Sequence, residues 1–242
     1  MTIRDICLST LEICERHFRL IEAAVPPPQW VEWENSYNWR FVERAPTQML
    51  LQKLARQITG LKSADLLLQA GLLQEVGAAF RTLDEISEDI LYISLRLSKG
   101  NWTENHDKYA DYFWSESEDD HQPPVRRKNI RAFINRVYDI PNPSGADQAG
   151  RTLHKAFSDY IHARSAPIMS MVVGPPARFD LNGITNTIAR NPYAQQIPSY
   201  FYRALLSTSF IARVALADEA NATCYNAVID FEREHGHLVL PA

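Results

Sequence analysis

The chain has 242 residues, of which 45% are hydrophobic and 22% charged, as is ordinary for a globular protein. Its formal net charge of −4 at pH 7 excludes a global attraction to nucleic acid or to an anionic membrane, so any such contact must come from a local patch. Only nine glycines are present, which argues against an architecture of strands and turns.

The three cysteines, Cys7, Cys14 and Cys224, are an odd number without CxxC spacing. Neither a disulfide framework nor a cysteine zinc site is therefore expected. The N-terminal stretch MTIRDICLSTLEICERHF is charged throughout and lacks the apolar block of a signal peptide. No run reaches the roughly 18 apolar residues of a membrane helix. We therefore expect a cytoplasmic, reduced protein that needs no membrane and no cofactor.

Residues 2–25 are predicted to form one helix, which the three prolines at 26–28 end. Its apolar positions are separated alternately by four and three residues, which is a heptad seam. They are Cys7, Leu11, Cys14, Phe18, Ile21 and Val25. The seam predicts a partner helix, either within the chain or in a second copy. The cysteines in it are expected to pack as small hydrophobic residues.

Residues 30–41 are rich in aromatic side chains. Trp30, Trp33 and Tyr37 have a spacing that one face of a helix could carry. Two interpretations remain open. The segment could be an aromatic plug that covers one end of a helical bundle, or a stacking surface for a base or a partner, with Arg40 and Arg44 beside it.

Helical periodicity continues along most of the remaining chain. One helix is predicted from about 47 to 59, interrupted at Gly60, and a second from about 64 to 98, capped by Ser63 and closed by Gly100.

Further helices are expected over about 146–164 and from Pro198 to 235, with a break near Asp218. Residues 174–183 between them are expected to be extended chain and turn, with at most one short strand.

These elements predict an all-α fold, a bundle of long antiparallel helices with the aromatic segment as its cap. We expect a single domain over residues 1–242. Residues 1–45 supply the N-terminal helix and the aromatic segment, and residues 46–242 supply the core of the bundle. Helices 64–98 and 146–164 are predicted to form the centre.

Two helical wheels carry polar stripes. One stripe contains Arg81, Asp84, Glu85 and Glu88. The other contains Arg151, His154, Ser158 and His162, and Asp159 lies close enough to orient the His162 ring. Because a buried carboxylate needs a partner, we expect the two stripes to face each other across a polar seam.

The motifs FRTLDEISEDILYI, AFSDYIHARSAPIM and GPPARFDLNG, within residues 50–215, carry a resemblance. Together they resemble an uncharacterised bacterial all-helical family related to HEPN domains. The resemblance matches Arg81 and Glu85 in the first motif and Ser158, Asp159, Tyr160 and His162 in the second. It implies a helical bundle, often dimeric, with an RNA-linked role of the defence or stress type.

Many HEPN domains are metal-independent ribonucleases with an arginine and a histidine on one helix and four to six residues between them. This sequence departs from that pattern, since Arg151 lies ten residues before His162. Ribonuclease chemistry would need a neutral histidine to take the 2′-hydroxyl proton and a fixed cation to stabilise the phosphate. The candidate catalytic residues are His162, Arg81, Glu85 and Asp159, with Arg151, His154 and Ser158 as weaker ones.

Residues 125–136 are predicted to form a basic amphipathic helix. Arg127, Lys128 and Arg131 can share a face that would meet phosphates, or the acidic stretch before them can neutralise them. The pairs Glu118–His121 and Glu232–His235 do not lie on core helices, so no metal site is predicted.

Two functions remain open. The first is a HEPN-like module that acts on or binds RNA or a nucleotide, and the second is a non-enzymatic interaction or scaffold bundle that dimerises through helical surfaces. An open pocket containing Arg81, Glu85 and His162 would favour chemistry or ligand binding. A closed, fully paired seam would favour the scaffold.

Overall fold

The computed structural model describes residues 1–33, 36–115, 123–137, 158–184 and 186–239. The helices are α1 (Ile3–Ala24), α2 (Pro46–Ala70), α3 (Leu73–Lys99), α4 (Glu104–Trp114), α5 (Arg127–Val137), α6 (Ser165–Met169), α7 (Thr187–Ala215) and α8 (Asp218–His235), followed by a 3₁₀ turn at Gly236–Leu238. Two antiparallel strand pairs accompany them: β1 (Gln29–Trp33) with β2 (Ser36–Arg40), and β3 (Val172–Val173) with β4 (Arg178–Phe179). The predicted all-α bundle is confirmed.

Helix α1 forms where its heptad pattern predicts it. It starts with a capping box, in which the Thr2 hydroxyl accepts a hydrogen bond from the Asp5 amide and the Asp5 carboxylate accepts one from the Thr2 amide. The seam is buried and its partner lies within the chain, since α1 packs on α7 and α2. Cys7 and Cys14 are buried in it as expected, and burial raises the pKa of each thiol to about 12.

Helices α2 and α3 form an antiparallel pair, and the break between them lies at a different residue from the predicted one. Helix α2 does not stop at Gly60 but continues to Ala70. A Cβ atom on Gly60 would lie 3.0 Å from Cδ2 of Leu83, so this glycine permits close packing of α3. The break comes at Gly71, whose left-handed φ of 73° ends α2. Gly100, with a φ of 62°, closes α3 as predicted.

Helix α7 is longer than predicted. It begins at Thr187, where the Asn186 side chain caps it by accepting a hydrogen bond from the Ile188 amide at 2.9 Å. Pro198 therefore lies inside the helix and not at its start. The predicted break near Asp218 is confirmed, since α8 begins there.

The core lies between α3 and α7, which α1 and α2 flank. Phe80 of α3 stacks on Tyr200 of α7, with ring centroids 4.2 Å apart. Of the helix expected at 146–164, only residues from 158 onward are described, and helical structure there covers 158–161. The expected central position of residues 146–157 lies outside the described residues.

The aromatic segment is a β-hairpin, although its spacing would also fit one face of a helix. Trp30 pairs with Trp39 across the strands, and Glu32 pairs with Tyr37. Because alternate residues of a strand point to the same side, the rings of Trp30, Tyr37 and Trp39 share one face. Trp30 contacts Trp39 edge-on at 5.2 Å and stacks on Tyr37 at 6.5 Å.

The segment that leads into α7 is attached to the corner between α2 and α3. The Ile184 amide donates a hydrogen bond to the Gly71 carbonyl at 2.8 Å. A Cβ atom on Gly183 would lie only 2.0 Å from the Ala70 carbonyl oxygen, so the close approach requires glycine. Residues 172–179 before it form the short strand pair β3–β4, where the sequence predicted at most one short strand.

Candidate functional site

The predicted polar seam begins with an ion pair within α3. Arg81 and Glu85 contact each other one turn apart, and the Nε atom of Arg127 lies 3.8 Å from Glu85. Among the described ion pairs, none joins Arg81 or Glu85 to His162. Among the described residues, the cations that pair with acids on this side of α3 lie on α2, α5 and α7.

Asp89, which was not part of the predicted stripe, is better buried than its acidic members Asp84, Glu85 and Glu88. It binds Lys53 of α2 at 2.8 Å and Arg127 of α5. Burial by itself would raise the pKa of Asp89, but the two cations together hold it below its usual value. The same Lys53 ammonium also lies over the rings of Tyr109 and Phe113, at 5.3 and 5.0 Å.

Glu88, the residue directly before Asp89, has a different environment. Its closest cation is Arg131, whose Nε atom lies 3.5 Å from Oε1. Burial raises the pKa of Glu88 to about 7, because Arg131 and Arg127 offset only part of the desolvation and Asp84 and Asp89 add repulsion. Glu88 therefore changes its charge near neutral pH.

Asp84 continues the stripe towards α7. It forms an ion pair with Arg203, and the Tyr200 hydroxyl lies 3.5 Å from its other oxygen. Burial raises the pKa of Asp84 even though Arg203 and Arg81 oppose the shift.

Lys53 and Arg203 were not predicted as partners of the α3 acids. Lys53 lies beside the buried Leu50 and Leu54, and Arg203 beside the buried Ala204. A cation next to buried positions is a signal that it needs an acid.

The segment from Ser158 onward packs on the N-terminal half of α3. The Tyr160 ring lies against Gly77, where a Cβ atom would be 2.7 to 3.0 Å from ring carbons. Its hydroxyl bonds that of Tyr193 on α7 at 2.7 Å. Gln74 donates a hydrogen bond to the Pro167 carbonyl at 2.6 Å. The two predicted motifs are thus neighbours, but tyrosine and not histidine makes the contact.

His162 itself is exposed at the end of this helical turn. Asp159, expected to orient its ring, instead forms an ion pair with Arg164 at 3.2 Å. Ser158 is half-buried. Arg151 and His154 lie outside the described residues.

The basic helix was predicted to meet phosphates or to be neutralised by the acidic stretch before it. In the structure, Arg127 and Arg131 neutralise acids of α3. Lys128 is exposed. Two of the three predicted phosphate contacts are therefore engaged in packing α5 on α3.

A groove with a volume of about 580 Å³ lies between the hairpin and helices α2 and α4. Trp39, which is 62% exposed, forms one wall, and Trp114 and Phe113 of α4 form another. Arg40 and Arg44 lie on its rim. The indole N–H of Trp114 is buried without a hydrogen-bond acceptor in the described part of the chain. The aromatic segment thus presents a surface, as the stacking interpretation requires.

A second cleft, of about 640 Å³, opens where α3, α5, α7 and α8 meet. It contains the Asp84–Arg203 and Glu88–Arg131 pairs and, from α7 and α8, the hydrogen-bonded pair Tyr202–Glu232. The rest of its wall is mostly apolar.

Comparisons of the chain with protein-family models, with curated proteins and with solved structures found no match. Within the described ranges, no group of three or more His, Cys, Asp or Glu residues is placed to hold a metal ion. None of the described helices has the length and hydropathy that crossing a bilayer requires.

Proposed function

We propose that this chain is a non-enzymatic helical module that binds a nucleotide or the single-stranded part of an RNA. The observation that carries the proposal is the groove between the hairpin and α2–α4, in which an exposed tryptophan and two arginines lie together. Aromatic faces combined with cations are the usual means by which proteins hold unpaired bases.

Each part of the groove has a role in this binding. A base stacks on the Trp39 indole, which contributes about 1–3 kcal/mol for a base on an aromatic ring. The guanidinium groups of Arg40 and Arg44 meet the phosphate. The Trp114 and Phe113 side chains of α4 supply a further aromatic wall for the base.

The geometry supports binding over cleavage. Ribonuclease chemistry needs a base and a cation on either side of the same phosphodiester. Here His162 is exposed, and Arg81 is engaged with Glu85. The relation to HEPN domains rests on the sequence motifs alone, and the paired charges of α3 support a structural role for that stripe.

The test is binding of fluorescein-labelled oligouridine, with unlabelled UMP as competitor, followed by fluorescence anisotropy. We expect Trp39→Ala to weaken binding about 5- to 150-fold, because each lost stack removes about 1–3 kcal/mol. Tyr225→Ala, on an equally exposed ring of α8, is the matched control and leaves binding unchanged. Competition by UMP identifies a mononucleotide site, and its failure identifies an RNA strand as the ligand.

Arg44→Gln should reduce the slope of log K against log salt concentration by about one, the contribution of one phosphate contact. The proposal is overturned if neither oligouridine nor UMP binds, or if the Trp39 and Tyr225 variants behave alike. It is also overturned if the labelled RNA is cut by the wild type but not by His162→Ala.

A further inference from the structure

We infer that the cleft between α3, α5, α7 and α8 is a second binding site, and that its ligand is a monocarboxylic acid with an apolar body. The site is separate from the aromatic groove and does not depend on the function proposed for it. Its volume of about 640 Å³ is typical of small-molecule sites, which span about 300–1,000 Å³.

The apolar body of the ligand is accommodated by side chains from α3, α5 and α7 and from the C-terminal segment. These are Leu91, Ile134, Leu206, Phe210 and Val239. A purely polar ligand would leave this wall in water, so the wall favours a ligand with a hydrocarbon portion.

The charge of the ligand follows from which group in the cleft is poorly compensated and cannot become neutral. The Oε2 atom of Glu88 has no hydrogen-bond partner among the residues that the structure describes, but Glu88 can take up a proton, whereas a guanidinium stays charged. Asp84 has Arg203 and the Tyr200 hydroxyl. Glu232 accepts a hydrogen bond from the Tyr202 hydroxyl. Arg131, in contrast, has only the 3.5 Å contact with Glu88.

The Arg131 side chain is 12% exposed, and its Nε and Nη1 atoms have no hydrogen-bond acceptor in the described ranges. Its Nε atom has only the long contact with Glu88 and its Nη1 atom has no acceptor within those ranges, and a guanidinium with such incomplete pairing is a usual partner of a carboxylate. We therefore place the ligand carboxylate on Arg131.

Glu88 then changes its role. With the ligand on Arg131, Glu88 loses its nearest cation while it gains a second carboxylate nearby. It takes up a proton from solvent and donates a hydrogen bond, which balances the charge of the pair. The charged groups around it are Asp84 and Asp89 of α3, Arg127 and Arg131 of α5, Arg203 of α7 and Glu232 of α8. Because Glu88 is close to half protonated at neutral pH, this uptake requires little free energy.

The experiment is isothermal titration calorimetry of the full chain with octanoate, using octylammonium and octanol as probes of the same length. We expect octanoate to bind, with proton uptake visible as a dependence of the heat on the buffer's ionisation enthalpy. Arg131→Met should weaken octanoate binding at least about tenfold. Arg136→Gln, an exposed arginine on the same helix, serves as the control and leaves it unchanged.

Glu88→Gln should retain octanoate binding but abolish the buffer dependence, which separates the proton effect from the anion site. Stronger binding of octylammonium would overturn the inference, as would equal binding of octanol or an unchanged affinity in Arg131→Met. The wild-type comparison of the three probes decides the matter even if Arg131→Met fails to fold. Trp39→Ala should bind octanoate normally, so failure of the RNA proposal and failure of this one are distinguishable.

Discussion

Lys53 of α2 and Asp89 of α3 form an ion pair of 2.8 Å whose side chains are only 13% and 5% exposed. Removal of one member leaves the other charge buried without its partner. We therefore expect Asp89→Ala to lower the free energy of unfolding by about 3–5 kcal/mol, measured by urea denaturation. Glu22→Ala breaks the exposed pair with Arg19 and should change it by less than about 1 kcal/mol. Similar losses in the two variants would contradict the buried network.

Glu88 should make the protein less stable as the pH rises. Its pKa in the folded chain is about 7, above its ordinary 4.5, so the folded state holds the proton more tightly. That contribution is fully present below pH 4.5 and is lost as the pH rises through 7. Glu88→Gln cannot titrate. Between pH 5 and pH 8 the wild type should lose about 2–3 kcal/mol of unfolding free energy relative to Glu88→Gln. A difference between the two proteins that does not change with pH would contradict the raised pKa of Glu88.

His106 should make the protein less stable as the pH falls, which is the opposite of the effect of Glu88. The His106 ring is buried, stacks on Tyr92 at 4.3 Å, and accepts a hydrogen bond from the Thr103 amide. Burial, with a smaller effect of Arg96, lowers the pKa of His106 from 6.5 to about 4. The stability it contributes is therefore present above pH 6.5 and is lost as the pH falls towards 4.

His106→Phe removes this titration while it keeps an aromatic ring. Wild type should lose about 2 kcal/mol relative to the variant between pH 7 and pH 5, as measured by urea unfolding at both values. Parallel stability curves would show that the histidine does not titrate there. Because Glu88 and His106 oppose each other between pH 4.5 and 6.5, their effects partly cancel in wild type and only the variants separate them.

Gly77→Ala tests the docking of the Ser158–His162 turn on α3. The new Cβ atom would lie 2.7 to 3.0 Å from the Tyr160 ring, so we expect a loss of about 1–3 kcal/mol. In a Tyr160→Ala background the space is free, and the same change should be neutral or stabilising by up to about 1 kcal/mol, because alanine favours helix. A thermal melt of all four variants measures the cycle, and an equal effect in both backgrounds would mean that the ring is not seated there.

The long helices could be predicted because their apolar residues follow a helical period. The heptad seam of α1 is an example, since every position of it faces the core except the partly buried Phe18. Helix boundaries were less predictable. Gly60 and Gly71 are the same residue type in sequence, yet the first serves a close contact with Leu83 and the second ends the helix in a left-handed conformation.

The hairpin could not be identified from spacing alone. Trp30, Trp33 and Tyr37 fit a helical face, and Trp30 with Trp39 fits a strand pair. What decides between them is pairing across the turn, which is a contact between residues nine apart and leaves no periodic signal in either strand.

The candidate site could be predicted in its charges but not in its pairing. Arg81, Glu85, Arg127 and Arg131 were all identified, yet the arginines of α5 were expected to meet phosphates or the acidic stretch before them, and not the acids of α3. The actual contact joins residues 38 apart, Arg127 and Asp89. Proximity in sequence is a poor guide here, because tertiary packing brings α5 onto α3.

The carboxylates along α3 have cations on three different neighbours, Lys53 on α2, Arg127 and Arg131 on α5, and Arg203 on α7. Apolar surfaces alone would accept a helix that slid by one turn, about 5.4 Å. Here such a shift would leave several buried charges without their partners at once. Each neighbouring helix therefore has one alignment along α3 in which its cations meet carboxylates. Misaligned packings of the bundle are destabilised because they leave buried charges unpaired.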